Sequence, residues 1–347
     1  MGAAKRVSQT AVGDMFTTAA AHPNIALIKY WGKADAILNV PAVSSVSITL
    51  DALATETHVR FDGMLPADSL CLNGNTLAPT SNQARRITAC LDALRALAGT
   101  GLRARVETHN DFPTAAGLAS SASGFAALVV AASAALKLDL SPTTASKIAR
   151  AASASAARSL FGGFAELPAG AAGEDVAAVG LASAEHWPLE VAVAICAEGP
   201  KAVGSTQGMI DSAATSPFYP AWVETAAADA AAARTAISER DFPTLASLSE
   251  SSCLKMHAVM QTTRPALLYW NAATMAALQR IRHMQQDGIE VFFTMDAGPQ
   301  VKAVCAPGAG GEVAAALASV PGVSRVLTSG LGGPARVIVS PWDGRCD

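Results

Sequence analysis

Phe112-Pro-Thr-Ala-Ala-Gly-Leu-Ala-Ser-Ser-Ala-Ser-Gly124, continued by the apolar run Phe125–Ala132, is the stretch on which the reading of this chain turns. From Phe112 to Leu136 it carries no charge, and by length alone it could cross a bilayer. Its content argues otherwise. Pro113, Gly117, Ser120, Ser121, Ser123, Gly124 and Ser133 interrupt it, and most of its apolar residues are alanines. A better reading is a small-residue loop that opens a buried helix over Ser120–Leu136. Small residues let the backbone approach a ligand, and the first turn of a helix presents unpaired N–H groups with positive partial charge. The hydroxyls of Ser120 and Ser121 can bond phosphate or Mg²⁺. The loop lacks the lysine of G-x-x-x-x-G-K-[ST] and the spacing of G-x-G-x-x-G. Composition alone leaves it open between a phosphate cradle and an ordinary Gly/Ser loop.

Outward from that stretch, the 347 residues suit one large or two medium domains. Charged residues are only 15% against 51% hydrophobic, and 25 basic with 28 acidic residues give a net charge of −3. Without a basic run or interleaved aromatics, the electrostatic footprint of a nucleic-acid binder is missing. The six cysteines contain no C-x-x-C pair and read as free thiols. The six histidines show no ligand spacing, so no metal site built from protein ligands is expected. Met1–Ala21 has Lys5 and Arg6, but polar residues interrupt what a secretory signal would need as its apolar core. These features predict a cytoplasmic enzyme acting on a small molecule, with no membrane and no nucleic-acid partner.

Periodicity predicts strands over Val43–Leu50, Thr55–Phe61, Leu102–Thr108 and Leu189–Cys196, and a helix over Asn82–Ala98 ended by Gly99. Ser141-Pro142 supplies an N-cap and first-turn proline for another helix. Long alanine-rich helices are expected near 221–239, 243–260 and 270–287, then hairpins around Asp296–Pro299 and Gly330–Pro334. The mixture reads as α+β, with domains at 1–187 and 188–347.

Three further segments carry chemistry. His22–Lys33 is an apolar strand opening with Asn24 and leaving Lys29, Tyr30 and Lys33 at its exit, where Lys33 could neutralise phosphate or carboxylate. In Ala152-Ser-Ala-Ser-Ala-Ala-Arg158, Ser155 and Arg158 share a face on a helix. A guanidinium fork suits a carboxylate or phosphate, and so lone a charge among alanines is expected to be buried against an acid. Asp296 ends an apolar strand at a turn, a position common for structural reasons alone. Ser329–Pro334 reads as a turn between two strands, and Glu174 with Asp175 as a solvated loop. Together, a phosphate loop, a lysine, a Ser/Ser/Arg cluster and one acid are the minimum for phosphoryl transfer to a hydroxyl on an anionic substrate.

The runs 113–123, 24–33, 158–163, Gly204–Met209 and Met295–Pro299 together resemble the diphosphomevalonate decarboxylase family of the GHMP kinase superfamily, over about residues 20–305. The resemblance implies a two-domain GHMP-kinase-like α+β fold with its site in the cleft between domains. It also implies ATP and Mg²⁺ as cofactors, mevalonate 5-diphosphate as substrate, and a homodimer. Carried onto this sequence, Asp296 matches the catalytic aspartate, Arg158 the arginine holding the substrate carboxylate, and Asn24 an orienting asparagine. Ser120 and Ser121 match serines that align ATP phosphates, within a nucleotide loop of Pro113, Ala116, Gly117, Leu118 and Ala119. Lys33, Tyr30, Ser153, Ser155 and Ser205 match groups on the substrate's phosphates. Catalytic roles therefore fall to Asp296, Arg158, Lys33 and Ser121.

Ala152 and Ala154 stand where the family usually has glycines, so both serines should sit in helical or extended backbone. Val43 replaces a frequent asparagine, and Thr206 stands where some bacterial members carry arginine. Alternatives are a decarboxylase of the monophosphate, a kinase stopping at the 3-phosphate, and an inactive sensor. Retention of Asp296, Lys33 and Arg158 together weighs against the kinase, and retention of Asp296 and the loop serines against the sensor.

Overall fold

A computed structural model describes residues 16–111, 120–199 and 203–339. Pro113, Ala116, Gly117, Leu118 and Ala119 of the expected nucleotide loop lie outside the described residues.

A six-stranded sheet runs in the order Arg336–Ile338, Thr17–Ala21, Thr55–Asp62, Arg103–Asn110, Ser69–Leu72, Asn75–Thr76. Helix Ser120–Ala135 lies across its first strands. This helix is apolar on every side, as a helix enclosed by protein must be. Ala126, Ala127, Ala131 and Ala132 are fully buried, and their small side chains let it lie close on the sheet. Among the described residues no helix is long and apolar enough to cross a membrane. Helix Asn82–Ala98 has the expected bounds: the Ser81 hydroxyl accepts from the Ala84 N–H, and Gly99 takes the left-handed conformation that ends it. Ser141 caps helix Pro142–Ala152 in the same way.

A second sheet orders Val179–Ala182, Phe164–Leu167, Ser45–Thr49, Asn24–Ile28; a third orders Val291–Thr294, Val301–Cys305, Glu190–Ile195, Arg325–Ser329. Helix Phe242–Gln261 packs on both Asn24–Ile28 and Val291–Thr294, bringing one strand from each sheet to a common seam.

The structure corrects several sequence expectations. The hairpin at Asp296–Pro299 forms, with Val291 opposite Cys305 and Thr294 opposite Lys302. No hairpin forms at Gly330–Pro334: Arg325–Ser329 pairs with Glu190–Ile195 in the third sheet, whereas Arg336–Ile338 pairs with Thr17–Ala21 in the first. The segment between is a strap rather than a turn. Gly163 donates its N–H to Gly332 O at 2.9 Å, and Gly332 donates to Thr49 O at 2.8 Å. A Cβ on Gly332 would stand 2.2 Å from Leu50 O, and one on Gly162 would stand 2.6 Å from the Gly333 carbonyl carbon, so only glycine permits this approach. Asp175 is not merely solvated, since it pairs with Lys147 at 3.0 Å and with the buried Arg150 at 2.9 Å. Cys90, Cys196, Cys253 and Cys305 are free and buried as expected, but Cys71 is disulfide-bonded.

Candidate active site

The hairpin register explains the floor of the cleft. Thr294 and Lys302 face one another across the strand pair and so point to one side; Asp296, two residues past Thr294, keeps that parity. That side meets strand Asn24–Ile28, where the Thr294 hydroxyl donates to Ala26 O at 3.2 Å. Lys29, just beyond this strand, donates from Nζ to Asp296 Oδ1 and to Ala26 O, both at 2.7 Å. Lys302 Nζ lies 3.1 Å from Asp296 Oδ2. Both lysines are buried, while the Asp296 side chain keeps 33% exposure toward the cleft. Burial alone would raise the carboxyl's pKa, but the two ammonium groups more than offset that and hold it far below the usual carboxylate range. For Lys29 desolvation dominates and lowers the pKa, against the attraction of Asp296.

Arg158 sits on the 3₁₀ turn Ala154–Leu160, where i and i+3 side chains eclipse, so Ser155 and Arg158 do share a face. Its partners differ from expectation. Nη1 donates to Ser45 Oγ at 2.6 Å, Nε to Ser47 Oγ at 3.0 Å, and Nη2 to Asn24 Oδ1 at 3.2 Å. These partners are neutral; Asp296 reaches this guanidinium only through space, as does Tyr30. Burial lowers its pKa to about 10, which leaves it a cation at neutral pH with its charge uncompensated by contact. The Asn24 amide is itself fixed by donating to Ser159 Oγ at 2.7 Å and Ser155 O at 2.9 Å. A buried cation with only neutral partners is a seat for an anion.

On the cleft wall, Lys33 donates from Nζ to Asn39 Oδ1 at 2.6 Å, and burial and then Arg86 lower its pKa. Ser153 is extended (φ −158°) and Ala152 is the last residue of a helix, so the alanines that replace glycine meet no strain. The two serine hydroxyls are 3.2 Å apart. The Tyr30 hydroxyl is buried with no hydrogen-bond partner, and burial raises its pKa. Ser205 opens helix Ser205–Thr215 and, with Thr206, lines the same cleft of about 490 Å³ as Asn24, Lys29, Arg158 and Asp296.

Ser121, Asn82 and Arg86 also line an adjoining pocket of about 300 Å³. Val106, Ile87, Phe125 and Leu128 wall it, Thr108 and Asn110 supply polar atoms, and Ser120 lines it with Ser121. Arg86 lies 4.8 Å over the Phe125 ring and donates from Nε and Nη2 to Ala152 O.

The family profile of the diphosphomevalonate decarboxylase-like N-terminal domain matches residues 21–178, and that of the mevalonate 5-diphosphate decarboxylase C-terminal domain matches 191–322. The chain belongs to the diphosphomevalonate decarboxylase family. Diphosphomevalonate decarboxylase of Candida albicans is 37% identical over 293 residues, 80% of each chain. That of Saccharomyces cerevisiae is 37% identical over 296 residues, 80% of this chain and 74% of the relative. Mevalonate diphosphate decarboxylase from Staphylococcus aureus superposes with a TM-score of 0.87 at 35% identity, covering 94% of this chain and 98% of that one. A structure described as MDDEF in complex with MVAPP, AMPPCP and magnesium gives 0.86 at 36%, covering 94% and 99%. The GHMP-type α+β fold expected from the sequence is thereby shown.

In this decarboxylase fold, one cleft gathers Asn24, Tyr30, Lys33, Ser121, Ser153, Ser155, Arg158, Ser205 and Asp296. Sequence reasoning gave no role to Lys29 or Lys302, nor to Asn39 and Arg86. The first two had a usable signal: each is a lone charge in an otherwise apolar strand context, Ile-Ala-Leu-Ile-Lys29 and Val-Lys302-Ala-Val-Cys.

Proposed function

We propose that this protein converts mevalonate 5-diphosphate to isopentenyl diphosphate, using ATP and Mg²⁺ and releasing ADP, phosphate and CO₂. The observation that carries the reading is a single cleft holding the Arg158–Asn24 anion seat beside an ionised Asp296, with a small-molecule pocket adjoining. Relatives whose structures hold MVAPP, AMPPCP and magnesium support it.

A tertiary hydroxyl is a poor leaving group. Its oxygen therefore first bonds to the γ-phosphorus of ATP as the bond to ADP breaks, and the hydroxyl proton passes to an oxygen of the transferred phosphoryl group. Phosphate then leaves C3 with the C–O electron pair, and the electrons of the C–CO₂ bond form the new double bond. Asp296 accepts the hydrogen bond of the 3-hydroxyl and so orients it. Arg158, steadied by Asn24, holds the substrate carboxylate. Lys33, Tyr30, Ser153, Ser155 and Ser205 take the terminal diphosphate, for which the unpartnered Tyr30 hydroxyl supplies a donor. Ser120 and Ser121, with the loop Pro113, Ala116, Gly117, Leu118 and Ala119, align the nucleotide phosphates. Bound Mg²⁺ supplies charge neutralisation across those phosphates. The serine hydroxyls fit an ion that prefers oxygen ligands and keeps several waters.

Thr206 at the cleft wall favours one second reading, a decarboxylase of the monophosphate. Steady-state assay of both substrates, following CO₂ and ADP, decides: higher kcat/KM for the diphosphate with equimolar CO₂ and ADP is expected. Preference for the monophosphate, or ADP without CO₂, overturns the reading. We further assign the protein to the cytoplasm as a homodimer, checked by fractionation and sedimentation. The chain divides near residues 187 and 188, with Arg336–Ile338 as a strand returned to the first part.

A further inference from the structure

Asp296 is held from two directions by groups that differ in what they need. Lys29 satisfies Asp296 Oδ1 and also bonds Ala26 O, so its ammonium would have a partner even without the acid. Lys302 comes from the opposite strand of the hairpin, is 2% exposed, and meets Oδ2 at 3.1 Å. One ammonium would neutralise one carboxylate. A second buried ammonium costs desolvation that the pairing does not need to return, and an apolar side chain of similar length would suit the fold better. The charged groups around Asp296 are Lys29 at the exit of strand Asn24–Ile28, Lys302 on Val301–Cys305, and Arg158 on the 3₁₀ turn; helix Phe242–Gln261 adds Cys253 and His257. Lys29, Lys302 and Arg158 against Asp296 leave the floor with an excess of positive charge.

We propose that Lys302 is a positioning residue for the reaction: it fixes the carboxylate plane of Asp296 from the Oδ2 side and supplies the excess positive charge on which the anionic substrate and the transferring phosphoryl group settle. With Lys29 alone, the carboxylate keeps its charge partner but can turn about its Cβ–Cγ bond, losing alignment with the 3-hydroxyl. With both oxygens held, it presents one face to the cleft. The cost of the second lysine is thus a cost to stability that serves the chemistry, the usual sign of electrostatic preorganisation.

This inference rests on the decarboxylase reading, and its test separates the two. Wild-type protein that releases no CO₂ from mevalonate 5-diphosphate removes the parent reading before any variant is compared. With active wild type, Lys302→Met is expected to lower kcat roughly 10- to 100-fold. KM for ATP should stay within about twofold, since the nucleotide pocket lies elsewhere, and the melting temperature should be equal or higher. The variant-to-wild-type ratio of kcat should fall as the pH is lowered, because a carboxylate with one ammonium protonates more easily. Taking the ratio cancels titration of the substrate itself. Lys302→Arg, which keeps the charge, should remove that pH dependence. Unchanged kcat in Lys302→Met overturns the proposal, as does a ratio that is flat with pH and unaffected by arginine. Should Lys302→Met not fold, Lys302→Gln reads the same quantities. If neither neutral variant folds, the lysine serves the fold and the proposal falls.

Discussion

The two ends of the cleft are built on opposite plans. The end proposed to take the nucleotide is an apolar slot between helices Asn82–Ala98 and Ser120–Ala135, with amide and hydroxyl groups for orientation and, among the described residues, one cation, Arg86, engaged with Ala152 O. The far end buries Lys29, Lys302 and Arg158 around a single acid. An apolar slot gains free energy when a ligand covers it and buries no unpaired charge meanwhile, so it costs the protein little to keep. Buried charges in excess of their partners do the reverse. The difference teaches where to look for chemistry: affinity is built where the fold is comfortable, and rate enhancement where it is not.

If that division is right, substitutions at the two ends should separate cleanly. Asp296→Asn should have the largest effect, lowering kcat by about a thousandfold or more, with the affinity for ATP, read by calorimetry, within a few-fold. Comparable loss of ATP binding would mean that the ends are not independent. Arg158→Gln should lower kcat/KM for the substrate by about 100-fold, the effect of losing a buried charged contact, again with ATP affinity spared. Ser121→Ala tests the opposite end: KM for ATP should rise about tenfold, as expected for a lost hydrogen bond to a charged group, while substrate affinity in the absence of nucleotide changes little.

His257 gives the smallest but most direct measure of discomfort at the charged end. Burial, and then Lys29, lower its pKa to about 3 from 6.5. Its folded-state pKa lies below the unfolded one, so as pH falls the unfolded chain takes up the proton first. Stability is therefore complete above about pH 6.5 and is lost progressively toward pH 3. By pH 5 the loss from this group is about 2 kcal/mol. His257→Leu should abolish that part of the acid sensitivity in thermal melts at pH 7 and pH 5; an identical pH response would show that this histidine is already charged in the folded protein.

Much of the fold was legible because its signals are local. Gly99 ends one helix and Ser141-Pro142 opens another by capping chemistry within a few residues, and the alanine-rich run after Ser120 has the composition of an enclosed helix. The Gly330–Pro334 segment was not legible, because whether two strands form a hairpin or join different sheets depends on partners far away in sequence. The site divides in the same way. Asp296 and Arg158 stand out as lone charges in apolar stretches, but nothing local says that Arg158 bonds Ser45, Ser47 and Asn24 rather than an acid. Lys29 and Lys302 were passed over because a lysine is by default a surface residue. Their common partner follows only once residues 267 positions apart meet at the seam between two sheets.

The strap through Gly332 also sets an order on the birth of the molecule. Strand Thr17–Ala21 has its partner Thr55–Asp62 close by in sequence, but its other edge is closed only by Arg336–Ile338, more than 300 residues further on. Through most of synthesis the first sheet therefore waits with an open edge, the kind that recruits strands from other chains. Severing the chain after the third sheet would leave that edge open permanently, so a piece carrying the first sheet alone is a poor candidate for expression unless the returning strand is supplied with it.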